Sequence, residues 1–252
     1  MQEPVSPIQI TLPVRRLVEF LRRVGSIDNR FTGFDRANEG ARIHRKLQRA
    51  AVKEHADYAA EVFLRGIFAY EEIEFTLEGR ADGIFTAADG VTVVDEIKTT
   101  ACPAADITPD FAPEHWAQAI VYAAIYAAQH ELEEMRVQLT YFQVDEELIL
   151  RFERHYTAQQ LQEEVEALLA EYAPWARRAV EWKKARNSDL QAMQFPFPAY
   201  RPGQRAMAGE VYKVCRDGGQ LLCQAPTGIG KSMSVLFPAL KSMGNELSLI
   251  HI

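Results

Sequence analysis

The run from Val91 to Thr99 reads Val-Thr-Val-Val-Asp-Glu-Ile-Lys-Thr, an apolar, β-branched stretch that ends in charges. In an extended strand alternate residues share a face. Val94, Glu96 and Lys98 therefore fall on one side, and Val93, Asp95 and Ile97 on the other, which gives Asp95 a structural role. Burying Glu96 and Lys98 costs several kcal/mol unless each charge is satisfied. Upstream, Gly79-Arg-Ala-Asp82-Gly-Ile-Phe85 is separated from this run by Asp89-Gly90, a strong hairpin-turn signal. Such a hairpin brings Asp82 close to Glu96. Two converging carboxylates repel unless a hard cation such as Mg²⁺ or Mn²⁺ sits between them. A cation there lowers the pKa of bound water and stabilises charge on a transferring phosphate, and Lys98 would steady the same negative charge. The three residues alone also fit an exposed hairpin with an ordinary Glu–Lys ion pair, so the surrounding elements matter.

Those elements are expected as follows. Thr11-Leu-Pro13 reads as a helix start, with Thr11 as N-cap, followed by Val14, Leu17, Val18, Leu21 and Val24 at helical spacing and a stop at Gly25. A second helix is predicted over about 36–53. Strands are predicted at 60–64, 70–77, 79–86 and 91–99, then a loop over 103–113 and a helix over 115–130. A strand pair follows at 135–144 and 148–152, and Thr157 caps a helix over about 158–185 that Pro174 bends. The order predicts an α/β domain with a mixed sheet flanked by helices. Residues 187–199, with Phe195-Pro-Phe-Pro198, read as a linker.

Composition fits a soluble, cytoplasmic protein of 252 residues that is 48% hydrophobic and 25% charged. The N-terminus has no basic, then apolar, secretory pattern, and no apolar run reaches the roughly 20 residues a bilayer requires. Cys102, Cys215 and Cys223 form no CxxC pair, so neither a zinc site nor a cysteine-bound iron–sulfur cluster is expected. The net charge of −7 neither requires nor excludes nucleic acid, because basic residues cluster locally at Arg15, Arg16, Arg22 and Arg23 and again from Arg177 to Arg186.

Taken in order, Gly40-Ala-Arg-Ile-His44, Gly79-x-x-Asp82, Asp-Glu96-Ile-Lys98 and His115-x-x-Gln118-x-x-x-Tyr122 resemble the RecB-like branch of the PD-(D/E)XK nuclease superfamily over roughly residues 12–155. The resemblance implies a restriction-endonuclease-like sheet and metal-dependent cleavage of DNA. It implies Asp82 and Glu96 as metal ligands with His44 as a further ligand, and Lys98 as the group that orients or activates the attacking water. Gln118 and Tyr122, four apart on one helical face, would reach the substrate strand. Glu61, Glu72 and Glu74 are left as undecided supports. A DNA-binding module that does not cleave is the competing expectation.

A second motif lies downstream. Ala225-Pro-Thr227-Gly228-Ile-Gly230-Lys231-Ser232 follows an apolar strand predicted over 220–224 and precedes a helical run. Glycines let a backbone wrap phosphate, Lys231 reaches the β- and γ-phosphates, and Ser232 holds Mg²⁺. With Tyr200-Arg-Pro-Gly-Gln204, which resembles an adenine-reading glutamine motif, the loop resembles the start of an XPD/DinG-type superfamily 2 helicase. That likeness implies ATP and DNA, presented as single-stranded or flapped ends, as partners. The expected organisation is a nuclease domain over 1–187, a linker over 188–199, and a truncated, P-loop (RecA-like) segment over 200–252.

Overall fold

The computed structural model describes residues 7–23 and 34–244, with 34–39 through their backbone alone. The chain divides into two compact units, Met1–Pro174 and Trp175–Ile252.

The first unit is built on a six-stranded mixed sheet. Its strands are β1 (Ile8–Pro13), β2 (Ala59–Tyr70), β3 (Ile73–Thr86), β4 (Thr92–Thr100), β5 (Glu134–Gln143) and β6 (Leu148–Thr157). They run in the order β1-β3-β4-β5-β6, with β2 on the other side of β3. β1 with β3 and β4 with β5 are parallel, and the remaining pairs are antiparallel. The helices are α1 (Val14–Arg22), α2 (Phe34–Glu54), α3 (Pro113–His130) and α4 (Ala158–Ala192). α4 runs on from the first unit into the second.

The middle of α3 is buried on nearly every face, from Trp116 to Ile125, as its run of Ala, Val and Ile requires of a helix between a sheet and another helix. It packs on β4 and β5 and against α1. α2 contributes Ile43 and Leu47 to a cluster with Ile97 and Phe142. Each such aliphatic side chain removed from water contributes roughly 1.5–3 kcal/mol. The Asp89-Gly90 hairpin forms as expected, with Gly90 at φ +87° between β3 and β4. Thr157 caps α4: its Oγ1 accepts from the Gln160 N–H at 3.2 Å, and Gln160 Oε1 accepts from the Thr157 N–H at 2.9 Å, a reciprocal capping box.

Several expectations change. Thr11 is not a helix cap: residues 8–13 form β1, which pairs with β3 from Ile8↔Ile73 to Pro13↔Glu78, and Pro13 itself occupies the cap position. Val24 and Gly25 lie outside the described residues. The predicted strands at 70–77 and 79–86 are one strand, β3, and β2 continues to Tyr70. Gly79 looked like a break because glycine usually weakens a strand. Here it answers a packing demand, since a Cβ at residue 79 would stand 2.5 Å from the Tyr122 hydroxyl. α4 continues through Ala192, into the stretch expected to be linker.

In the second unit, α5 (Gln204–Asp217) and α6 (Lys231–Met243) pack on one another. The strand expected at 220–224 does not form, and Leu222 is fully exposed. A strand needs a neighbour for its N–H and C=O groups, and among the described residues of this unit there is no other strand.

Gly83 marks where β3 and β4 begin to part. A Cβ there would lie 1.9 Å from the Tyr58 hydroxyl. Gly83→Ala is expected to cost about 1–3 kcal/mol through overpacking, read as a lower urea midpoint. An unchanged midpoint would show that Tyr58 moves aside freely.

Candidate active site

The β3–β4 ladder runs from Thr86↔Thr92 to Gly83↔Asp95 and then stops. On the same edge of β3, the pairing with β1 covers 73–78. Residues 79–82 thus face an opening between β1 and β4, and Asp82 stands at its mouth. The N–H of Ile97 donates to Asp82 Oδ2 at 2.8 Å. Asp82 therefore bridges the splay in place of a backbone partner.

Alternation along β4 then sorts the charges as expected. Asp95 is buried on one face, where it accepts from Thr140 Oγ1 at 2.6 Å and Gln138 Nε2 at 2.9 Å. Burial raises its pKa, and these two donors oppose the shift. Glu96 is buried on the other face at 2% exposure. Lys98 Nζ donates to Glu96 Oε1 at 2.7 Å and to Gln118 Oε1 at 3.1 Å. Burial, chiefly, pushes the Glu96 carboxyl up to about 7; Lys98 opposes the shift and Asp82 adds to it. Glu96 Oε2 is buried with no hydrogen-bond partner. Leaving such an acceptor unsatisfied costs about 1–3 kcal/mol or more.

His44 Nδ1 lies 3.7 Å from Asp82 Oδ1. One turn along α2, Gln48 Nε2 donates to the Asp82 carbonyl at 2.9 Å and to Glu61 Oε1 at 3.1 Å, fixing helix to strand. This separates the three undecided glutamates. Glu61 is tied to the site, at φ +55°, a conformation strained for any residue with a side chain. Glu74 sits at the far end of β3, where it accepts from Gln9 at 3.4 Å, and Glu72 lies in the turn before that strand.

His44, Lys98 and Gln118 share a cleft of about 490 Å³ with Arg15, Glu114 and His115. The Arg15 guanidinium is held charged first by Glu19, to which it donates at 2.7 Å, and also by the Glu96 carboxylate. Arg15 was grouped in the sequence only with its basic neighbours, because the docking of α1 beside β1 had no visible signal. Glu114, whose Oε2 is buried without a partner, was not singled out at all. Tyr122 lines the site from within. It is 3% exposed, packed against Gly79 and interacting with Gln118 and the Arg80 backbone, so it walls the site and does not face solvent as a substrate contact.

Among the described residues no group of three or more His, Cys, Asp and Glu side chains is arranged to hold a metal. His44, Asp82 and Glu96 are adjacent but not drawn around one point, since Lys98 takes one Glu96 oxygen. The unpartnered Glu96 Oε2, an all-oxygen-and-nitrogen donor set and two neighbouring carboxylates nonetheless fit a hard divalent cation.

In the second unit, the loop before α6 places Gly228 and Gly230 at φ +81° and +84°. Gln204, 3% exposed, donates to the Gly230 carbonyl at 3.2 Å and accepts from the Arg201 N–H at 3.0 Å. Lys231 Nζ donates to the carbonyls of Ala225 (3.1 Å) and Pro226 (2.9 Å), while Thr227 and Ser232 are exposed.

Residues 15–202 match the family model described as the PD-(D/E)XK nuclease superfamily. The chain belongs to the PD-(D/E)XK nuclease superfamily. Nucleases of this superfamily generally use divalent metals such as Mg²⁺. A 47-residue stretch of this superfamily member is 38% identical to the probable ATP-dependent helicase MJ0942 of Methanocaldococcus jannaschii, covering 19% of the chain and 7% of that helicase. The chain thus spans a small part of that relative's length. The crystal structure of SSO0001 superposes with a TM-score of 0.40 at 17% identity, over 68% of this chain and 78% of that one. Among the described residues of this PD-(D/E)XK protein, no helix is long and apolar enough to cross a membrane.

His115 joins its Nδ1 to the Tyr141 hydroxyl at 2.9 Å. Burial, then the charges of Lys98 and Arg15, push its pKa down to about 3 from the ordinary 6.5. The folded state therefore binds this proton less readily than the unfolded chain. Its contribution to stability is complete above pH 6.5 and is lost as pH falls from there toward 3. His115→Asn, which keeps an acceptor or donor near the Nδ1 position, is expected to flatten the pH dependence of the urea midpoint between pH 4 and 6.5. An identical slope in both proteins would refute this.

Proposed function

We propose that this chain is a divalent-cation-dependent DNA nuclease of the RecB-like branch, acting on single-stranded or flapped ends. The observation that carries the reading is the buried Glu96 carboxylate, with one oxygen on Lys98 and the other unpartnered, beside Asp82 at the splay of β3 and β4. Asp82 and Glu96, with His44, would hold Mg²⁺ or Mn²⁺. Once bound, the cation supplies the positive charge that acidifies water and polarises a phosphate.

The protein's own groups do the rest. The Lys98 ammonium, set in place by Glu96 and Gln118, would donate to a phosphoryl oxygen or orient the attacking water; the water oxygen bonds to phosphorus and gives up its proton to solvent, while the bond to the sugar oxygen breaks and that oxygen takes a proton from solvent. Gln118 is thereby a positioning residue, and Tyr122 fills the space that Gly79 leaves open. Arg15, on the cleft wall, suits a neighbouring phosphate.

The reading extends to the downstream segment. Residues 200–252 are proposed as the start of an XPD/DinG-type helicase ATP-binding domain, joined to the nuclease through residues 188–199. Gln204 bonded to the loop at Gly230, and the positive-φ glycines at 228 and 230, support this. So does the short helicase likeness. Thr227, Lys231 and Ser232 are the remaining proposed nucleotide contacts.

The experiment is cleavage of labelled single-stranded, flapped and duplex DNA with Mn²⁺ or Mg²⁺. EDTA is expected to abolish product, Glu96→Gln to do the same, and Lys98→Met to slow cleavage by about 10²–10³ while leaving binding intact. Undiminished cleavage by Glu96→Gln ends the proposal.

A further inference from the structure

α2 carries a second feature on the side turned away from Asp82. Arg42, Arg45, Lys46, Arg49 and Lys53 recur at intervals of three and four and are all exposed, which makes them one continuous stripe. The stripe borders a groove of about 820 Å³ whose opposite wall comes from the end of β5 and the residues after it, Phe142, Val144 and Glu147. Two carboxylates, Glu54 and Glu147, also line it, so the cations exceed the anions by three.

Arg15, Arg22, Arg136 and Arg154 each pair with a carboxylate within 4 Å. None of the five stripe cations does so among the described residues, although the protein as a whole carries a net charge of −7. Lys46 Nζ stands 5.9 Å from the centre of the Phe142 ring. Like charges three and four apart destabilise a helix by a few tenths of a kcal/mol per pair, so the fold gains nothing from this arrangement. From Arg42 to Lys53 the stripe runs about 16 Å, the length of about five phosphates in one strand. Its floor, formed in part by Ile43 and Val144, is apolar. A duplex offers such a floor only its phosphates, whereas a single strand also offers base faces.

We infer that this groove binds the backbone of single-stranded nucleic acid and feeds that strand to the site on the neighbouring face of α2. The choice of nucleic acid as ligand rests on the nuclease reading, but the groove and its charge do not depend on cleavage. The two are therefore tested separately.

The test measures binding of a fluorescent 12-residue oligothymidine by the full chain in EDTA, as a function of salt. Each phosphate contact to a single strand contributes about 0.7 to the slope of log K against log salt. Removing three cations in Arg45→Gln/Arg49→Gln/Lys53→Gln is expected to reduce that slope by about 2 and to weaken binding about 100-fold at 0.1 M salt. Arg45→Lys/Arg49→Lys, which keeps the charge, should retain the wild-type slope. Arg178→Gln/Lys183→Gln/Lys184→Gln, which removes equal charge from α4, should also retain it. An unchanged slope in the groove variant, an equal loss in the α4 variant, or a loss seen with duplex alone overturns the inference. Absence of cleavage with the slope difference intact would remove the nuclease reading and leave the groove.

Discussion

A carboxylate buried beside a lysine is a costly thing to build into a sheet. Glu96 is held at 2% exposure with one oxygen on Lys98 and the other on nothing, and much of the first unit accommodates that fact. The ladder between β3 and β4 ends one residue before Glu96, and Asp82 turns to cap the N–H that the ladder leaves behind. Gln118, on a helix otherwise filled with alanine, valine and isoleucine, steadies the lysine. Desolvation of this kind disfavours the charged carboxylate, so any ligand that neutralises it is bound more strongly here than at the surface.

Much of this was legible in the sequence because strand geometry has a period of two. The assignment of Glu96 and Lys98 to one face and Asp95 to the other follows from counting, and the structure agrees down to the Thr140 and Gln138 partners of Asp95. The Asp89-Gly90 turn likewise places Asp82 without further information. What counting could not reach depends on contacts between distant segments. β1 pairs with β3 across some sixty residues, and nothing in Ile8–Pro13 announces a parallel partner. Glu61, Glu72 and Glu74 are equivalent by composition, and Gln48 alone separates them. Tyr122 was read as facing the substrate because it lies four residues from Gln118, yet the absent side chain at Gly79 draws its ring inward.

The second unit shows the opposite limit. The glycine-rich loop before α6 carries its turn geometry locally, so Gly228 and Gly230 adopt positive φ and α6 starts at Lys231. The apolar run before it cannot become a strand by itself, since a strand is completed only by its neighbours. Local turn geometry is thus present in a unit that has no strand among its described residues.

α2 joins two surfaces by being rigid. Gln48 anchors it to β3 at Asp82 and to β2 at Glu61, His44 projects from it toward Asp82, and its neighbour Arg45 lines the groove on another face. Gln48 bonds this helix to the strand that carries Asp82, so the imidazole approaches that carboxylate from a backbone already fastened to it.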